Sequence, residues 1–137
     1  MTGKVTKGSC LCGAVAFDLH GPLRPVYACH CKQCRKTSGH FWAATSVPDE
    51  ALTFTRDEGL RWFRSSENTK RGFCGTCGSS LFWVPEGERR TVVAAGALEG
   101  ELELQTKAHV FMCDKGSYYE IGDGLPQFEE FKGDENA

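Results

Sequence analysis

Seven of the eight cysteines fall into three tight clusters: Cys10-Leu11-Cys12, Cys29-His30-Cys31-Lys32-Gln33-Cys34 and Cys74-Gly75-Thr76-Cys77. One four-coordinate metal cannot take them all. A closed structural zinc site uses four thiolate or imidazole ligands, whereas a catalytic zinc keeps three protein ligands and one open position. Two pairs make one closed site, and the triplet makes one open site. Two zinc ions per chain are therefore expected.

The competing reading of eight cysteines in 137 residues is a disulfide framework. Residues 1–9 are short and polar and do not resemble a secretion signal. Cysteines one or two residues apart turn both sulfurs toward one point, which suits chelation. With 40% hydrophobic residues, a chain of this length can build a core without staples.

Cys74-Gly75-Thr76-Cys77-Gly78 reads as a zinc knuckle, a tight turn whose backbone N–H groups point at sulfur. Its complement is Cys10 and Cys12. Period-two alternation puts those two sulfurs on one face, although a strand with one cysteine turned to the core is the alternative. Closing the loop from Cys12 to Cys74 is entropically expensive, and metal affinity offsets that cost.

Cys29, Cys31 and Cys34 offer three soft ligands within six residues. His30 is placed to take a fourth position, which would make an ordinary structural Cys3His site. In an extended segment, however, His30 points away from the face that Cys29 and Cys31 share. Water or substrate is thus expected in the fourth position, with His30 as a nearby polar group and the candidate proton shuttle. Lys32, Arg35 and Lys36 surround the triplet in a chain of net charge −2. These cations stabilise thiolates and attract an anionic thiol. Cys113 stands alone, and a buried small hydrophobe is its default role.

One domain over residues 4–126 is expected, followed by an acidic tail over 127–137 that is expected to be disordered. No apolar run is long enough to span a membrane. Short β-prone runs at 14–19, 26–30, 41–47, 52–54, 60–64, 80–84, 91–95 and 107–112 are broken by turns, and sixteen glycines disfavour helices. The class is mainly β, built of short antiparallel strands with few or no helices, one short helix being possible near 32–38. Phe41 and Trp42 are the aromatics best placed to wall a cleft at the triplet.

These motifs resemble the glutathione-dependent formaldehyde-activating enzyme family, also called the centromere protein V/formaldehyde-activating domain. The resemblance rests on Gly8-Ser9-Cys10-Leu11-Cys12-Gly13, on Cys29-His30-Cys31-x-x-Cys34-Arg35-Lys36-Thr37-Ser38-Gly39 and on Phe73-Cys74-Gly75-Thr76-Cys77-Gly78. His109-Val110-Phe111 and Tyr119-Glu120-Ile121 resemble its C-terminal motif, so the likeness covers residues 4–121. The chain departs at Gly116-Ser117-Tyr118, where something closer to Ala-Pro-Trp would stand. The resemblance implies a fold like that of the Mss4 zinc proteins. It implies a structural zinc at Cys10, Cys12, Cys74 and Cys77, and a catalytic zinc at Cys29, Cys31 and Cys34. It also implies a carbon–sulfur lyase acting on a thiol such as glutathione and a small aldehyde.

An open thiolate-zinc site suits that chemistry, since metal coordination raises a thiol's thiolate fraction near pH 7. Polarisation of the aldehyde oxygen is the other route, but three thiolates weaken zinc as a Lewis acid. The triplet's metal is expected to be the more easily lost of the two. The alternatives are the same chemistry on another thiol–carbonyl pair, or a zinc-stabilised binding module. A sequence pI near 6.1 disfavours nucleic acid as the partner. Reduced thiolates and the absence of an export signal give the cytoplasm as the expected location. Nothing in the sequence sets the oligomeric state.

Overall fold

The computed structural model describes residues 4–131. In chain order the elements are β1 (Val5–Ser9), β2 (Ala16–His20), β3 (Val26–Cys29), α1 (Lys32–Ser38), β4 (Trp42–Pro48), β5 (Leu52–Arg56), β6 (Leu60–Ser66), β7 (Thr69–Cys74), β8 (Ser80–Pro85), β9 (Arg90–Ala94) and β10 (Thr106–Val110). They form a three-stranded sheet, β1-β2-β5, and a seven-stranded sheet, β10-β3-β4-β9-β8-β7-β6. The mainly β expectation holds, and all pairings are antiparallel except β3 with β10, which run parallel.

All eight sequence-predicted strands are present, shifted by a residue or two at their ends. Two further strands went unread. β1 and β7 carry Lys-Gly and Lys-Arg-Gly sequences, which have weak strand propensity. Packing decides the matter for β7. A Cβ on Gly72 would lie 2.8 Å from the Trp62 ring, so glycine is what lets β6 and β8 close their aromatic side chains over this strand.

The sheets meet through Phe17 of β2, Phe54 of β5 and Phe82 of β8. Their ring centroids lie 5.0 Å (Phe17–Phe82) and 5.5 Å (Phe54–Phe82) apart, in edge-to-face geometry. Val15, Leu19, Val47, Leu81 and Val93 fill the space around them and are all but inaccessible. Burying each such side chain contributes about 1.5–3 kcal/mol.

α1 is short and sits where the sequence placed a helix. Cys31 caps it, its sulfur accepting the Cys34 N–H at 3.4 Å, and it ends at Gly39. The Thr37 and Ser38 hydroxyls donate back to the Gln33 and Cys34 carbonyls one turn earlier. Among the described residues no helix is long and apolar enough to cross a membrane. Residues 127–131, assigned from sequence to the tail, run beside β10. Phe128 N–H donates to His109 O at 2.9 Å, and the Phe131 ring lies 5.8 Å from Tyr27. Residues 132–137 lie outside the described residues.

Candidate metal centres

The long-range pairing of strands brings the two cysteine pairs together. Cys10 and Cys12 follow β1, Cys74 ends β7, and Cys77 closes the turn before β8. Their four sulfurs lie within 4.8 Å of one another. Cys10–Cys12 and Cys12–Cys74 sulfurs are each 3.8 Å apart. That exceeds the ~2.05 Å of a disulfide. It matches the roughly 3.8 Å edge of a tetrahedron of thiolates bound at about 2.3 Å to one ion.

Backbone donors are aimed at these sulfurs. Val15 N–H reaches Cys10 at 3.3 Å, while Thr76 and Cys77 N–H reach Cys74 at 3.3 and 3.4 Å. Gly78, at φ 85°, completes the turn by donating to the Cys74 carbonyl. The Ser79 hydroxyl holds the Cys77 thiol down to about 5, and the Cys77 N–H draws Cys74 below its usual value.

The triplet is a second group, separate from the first. Cys29 ends β3, Cys31 caps α1, and Cys34 lies buried in its first turn. Their three sulfurs also lie within 4.8 Å of one another. Hydrogen bonds from Cys29 and Cys34 pull Cys31 down to about 2, and the same bond pushes Cys29 up. Cys34 rises to about 11, since the pull of Cys29 is outweighed by Cys31 and by burial. Three sulfurs this close oppose one another's ionisation. Placing charge on all three requires a cation at their centre. The donor set therefore fits a soft metal ion.

Two buried polar side chains belong to the surroundings of the triplet. Arg71 of β7, 5% exposed, directs Nη2 to Cys34 Sγ at 3.7 Å and Nε to Gln33 Oε1 at 3.2 Å. His30, fully buried, turns toward a chain of hydrogen bonds. Its Nδ1 pairs with Tyr119 Oη, its Nε2 lies 2.9 Å from His109 Nδ1, and His109 Nε2 lies 2.8 Å from Asp123 Oδ2. With both imidazoles neutral the direction follows, because an ionised carboxylate only accepts. His109 donates to Asp123, His30 donates to His109, and Tyr119 donates to His30. Burial, then His109, lowers His30 to about 4, so it stays neutral and keeps its Nδ1 lone pair. The Leu125 N–H and His109 hold the Asp123 carboxyl below its usual range.

Phe41, His40 and Tyr118 wall the Tyr119 end, with His30–Phe41 ring centroids at 5.0 Å and His40–Tyr119 at 4.4 Å. Lys115 Nζ sits 4.4 Å above the Tyr119 ring. Trp42 is buried behind the triplet, against Cys34. Arg35 donates to the Asp114 carbonyl at 3.0 Å, tying α1 to the turn after β10. That turn opens at Phe111, whose φ of 58° is strained for a bulky side chain.

Cys113 corrects an expectation: it is exposed rather than buried, on the turn after β10, and belongs to neither sulfur group. Sequence reasoning missed Arg71 and Asp123. Neither carries a local signal, since a lone arginine in a strand and a lone aspartate in a loop are usually solvated. His109 and Tyr119 were visible only as parts of the C-terminal motif.

A β-sheet protein with one four-cysteine and one three-cysteine group, each able to hold a metal ion, is the class that the fold and the two sites define. A family profile described as glutathione-dependent formaldehyde-activating enzyme matches residues 5–114, and the chain belongs to that family. It is 29% identical over 133 residues to a Halomonas elongata protein named for glutathione-dependent formaldehyde activation, covering 84% of this chain and 80% of that one. It is 24% identical over 123 residues to an uncharacterized lyase of Schizosaccharomyces pombe, covering 89% of each. A crystal structure of a Rhodobacter sphaeroides protein superposes with a TM-score of 0.59 at 27% identity, over 71% of this chain and 91% of that one.

Proposed function

We propose that this protein is a zinc-dependent carbon–sulfur lyase that makes and breaks the adduct of a thiol with a small aldehyde. Glutathione and formaldehyde are the pair in the family's description. One observation carries the reading: the second cluster assembles three sulfurs where the first assembles four. Cys10, Cys12, Cys74 and Cys77 would hold a structural zinc, and Cys29, Cys31 and Cys34 a second with one position left for a thiol. A zinc held there supplies an acidifying site at which a thiol is bound as thiolate near neutral pH.

In the forward direction the thiol sulfur bonds to the aldehyde carbon and the carbonyl π bond breaks. The sulfur loses a proton and the oxygen gains one, so no outside oxidant or reductant is needed. Tyr119 is assigned the exchange of that proton: in breakdown its oxygen accepts the adduct O–H proton as its own passes to His30 Nδ1, and formation runs the same relay backward. Burial raises the Tyr119 pKa, keeping the O–H intact. His30 Nδ1 fixes the direction of the Tyr119 hydroxyl, while His109 and Asp123 fix the tautomer of His30. The half-exposed Asp123 gives the chain an outlet to solvent. Lys32, Arg35 and Lys36 draw an anionic thiol toward α1. A reducing compartment, the cytoplasm, keeps the seven clustered sulfurs in the thiol state.

The test is Cys31→Ser, assayed for zinc per chain and, by exchange NMR, for interconversion of glutathione, formaldehyde and their adduct. The variant is expected to keep its sheet signal and one zinc, and to lose both the second zinc and catalysed exchange. Wild-type exchange in that variant overturns the proposal. Replacing glutathione with other low-molecular-weight thiols identifies the physiological class.

A further inference from the structure

Arg71 is the least expected charge in the molecule. It projects from β7 into the layer occupied by Cys34 and Trp42, and its Cζ lies 5.7 Å from the Trp42 ring. Among the described residues none of the ion pairs involves it, so no carboxylate compensates its charge. Its Nη1 is buried without a hydrogen-bond partner. A buried cation in that state is costly unless an anion lies nearby. The nearest candidate is sulfur, the Nη2 to Cys34 Sγ contact at 3.7 Å. The Gln33 amide holds the guanidinium in that orientation. It accepts from Arg71 Nε and donates to the Ser65 carbonyl at 3.1 Å, so its O and N are fixed by opposite partners.

We infer that Arg71 is the buried counter-charge of the triplet, a positioning residue that lets Cys29, Cys31 and Cys34 all carry negative charge around one metal ion. The inference rests on the proposed metal at the triplet and deepens it. Three thiolates and one divalent ion sum to −1, which Arg71 cancels. An incoming thiolate then brings the site to −1 rather than −2. Arg71 thereby favours an anionic sulfur ligand at the open position. The four-cysteine cluster has backbone N–H donors instead, and no arginine side chain bonds to its sulfurs among the described residues.

The experiment is a zinc competition titration against a chromophoric chelator on the full chain. It compares wild type with Arg71→Gln, Arg71→Met and Arg71→Lys, with cobalt substitution reporting sulfur-to-metal charge transfer. Wild type is expected to hold two ions. In R71Q the four-cysteine site keeps its affinity, serving as the internal control for folding. The triplet loses about ten- to a hundred-fold, the range for residues that support metal ligands from behind. R71K restores most of that loss, because it returns the charge without the planar fork. R71M decides the matter if R71Q fails to fold. Wild-type triplet affinity in R71Q or R71M overturns the inference, as does unfolding of both variants in zinc, which would make Arg71 a structural residue. A wild-type chain holding a single ion instead sinks the two-metal reading, and the inference with it.

Discussion

The two sulfur clusters hold similar atoms at similar spacing, yet they are supported by different physics. The four-cysteine centre is made by loops and turns that different hairpins bring together, and backbone N–H groups with the Ser79 hydroxyl supply its hydrogen bonds. Among the described residues nothing titratable other than its own sulfurs is bonded to it. The triplet lies within six residues, on a strand end and a helix cap. Its sulfurs are met by the Cys34 N–H and by Arg71, which Gln33 orients, and His30 between Cys29 and Cys31 opens the hydrogen-bonded chain to Tyr119, His109 and Asp123. The first arrangement ties distant segments together, whereas the second leaves groups around the sulfurs that can take or give a proton. Stability is therefore expected to depend on the first centre and turnover on the second.

The largest effect that separates them is Cys74→Ser. Cys74 is fully buried and joins segments 62 residues apart in sequence, as its contact with Cys12 shows. Loss of that ligand forfeits metal-coupled folding energy. A melting temperature lower by ~10 °C or more, read by far-UV circular dichroism, is expected for a cost of ~3 kcal/mol in a chain of this size. C31S should melt close to wild type. Equal melting losses in the two variants would erase the distinction.

Tyr119→Phe sharpens the comparison from the other side. The ring packing against His40 and Phe41 survives while the O–H is removed. Zinc content is expected to stay at the wild-type value and the melting temperature to fall by only a few degrees, since the buried His30 Nδ1 loses its donor, while adduct formation falls by ~10²–10⁴, the usual range for one positioned acid or base. A fall in zinc content alongside activity would assign Tyr119 to holding the centre rather than to proton transfer.

The clusters were legible because their information is local: one-residue and two-residue spacings, flanking glycines and the arithmetic of four and three. Most strands were legible for the same reason, as short β-branched and aromatic runs between turns. What escaped is what pairing over long distances creates. His30 meets His109 across 79 residues and Tyr119 across 89, and no local pattern announces either contact. Arg71 sits in Lys70-Arg71-Gly72, which carries no strand signal of its own, and it is β6 and β8 closing on each side that bury it. Cys113 misled in the opposite sense. Free cysteine is usually buried, but here the chain turns outward at Phe111 and carries it into solvent.

The smallest expected effect lies at the solvent end of the histidine chain. Asp123→Asn keeps the shape of the side chain but removes the charge that His109 donates to, and it offers an N–H₂ group where only an acceptor fits. The Asp123 carboxyl titrates below its ordinary value in the folded protein, first through the Leu125 N–H and then through His109. A depressed folded pKa means that its contribution is present in full above the unfolded carboxyl value near 3.9 and is lost as pH falls through the folded value. The wild-type melting temperature is therefore expected to exceed that of D123N by a small constant margin from pH 7 to pH 5, and the margin should close below about pH 4. Paired thermal melts across that range check it. A margin that instead closes near pH 6.5 would transfer the effect to a histidine, and the carboxylate would no longer be the group that fixes the chain's direction.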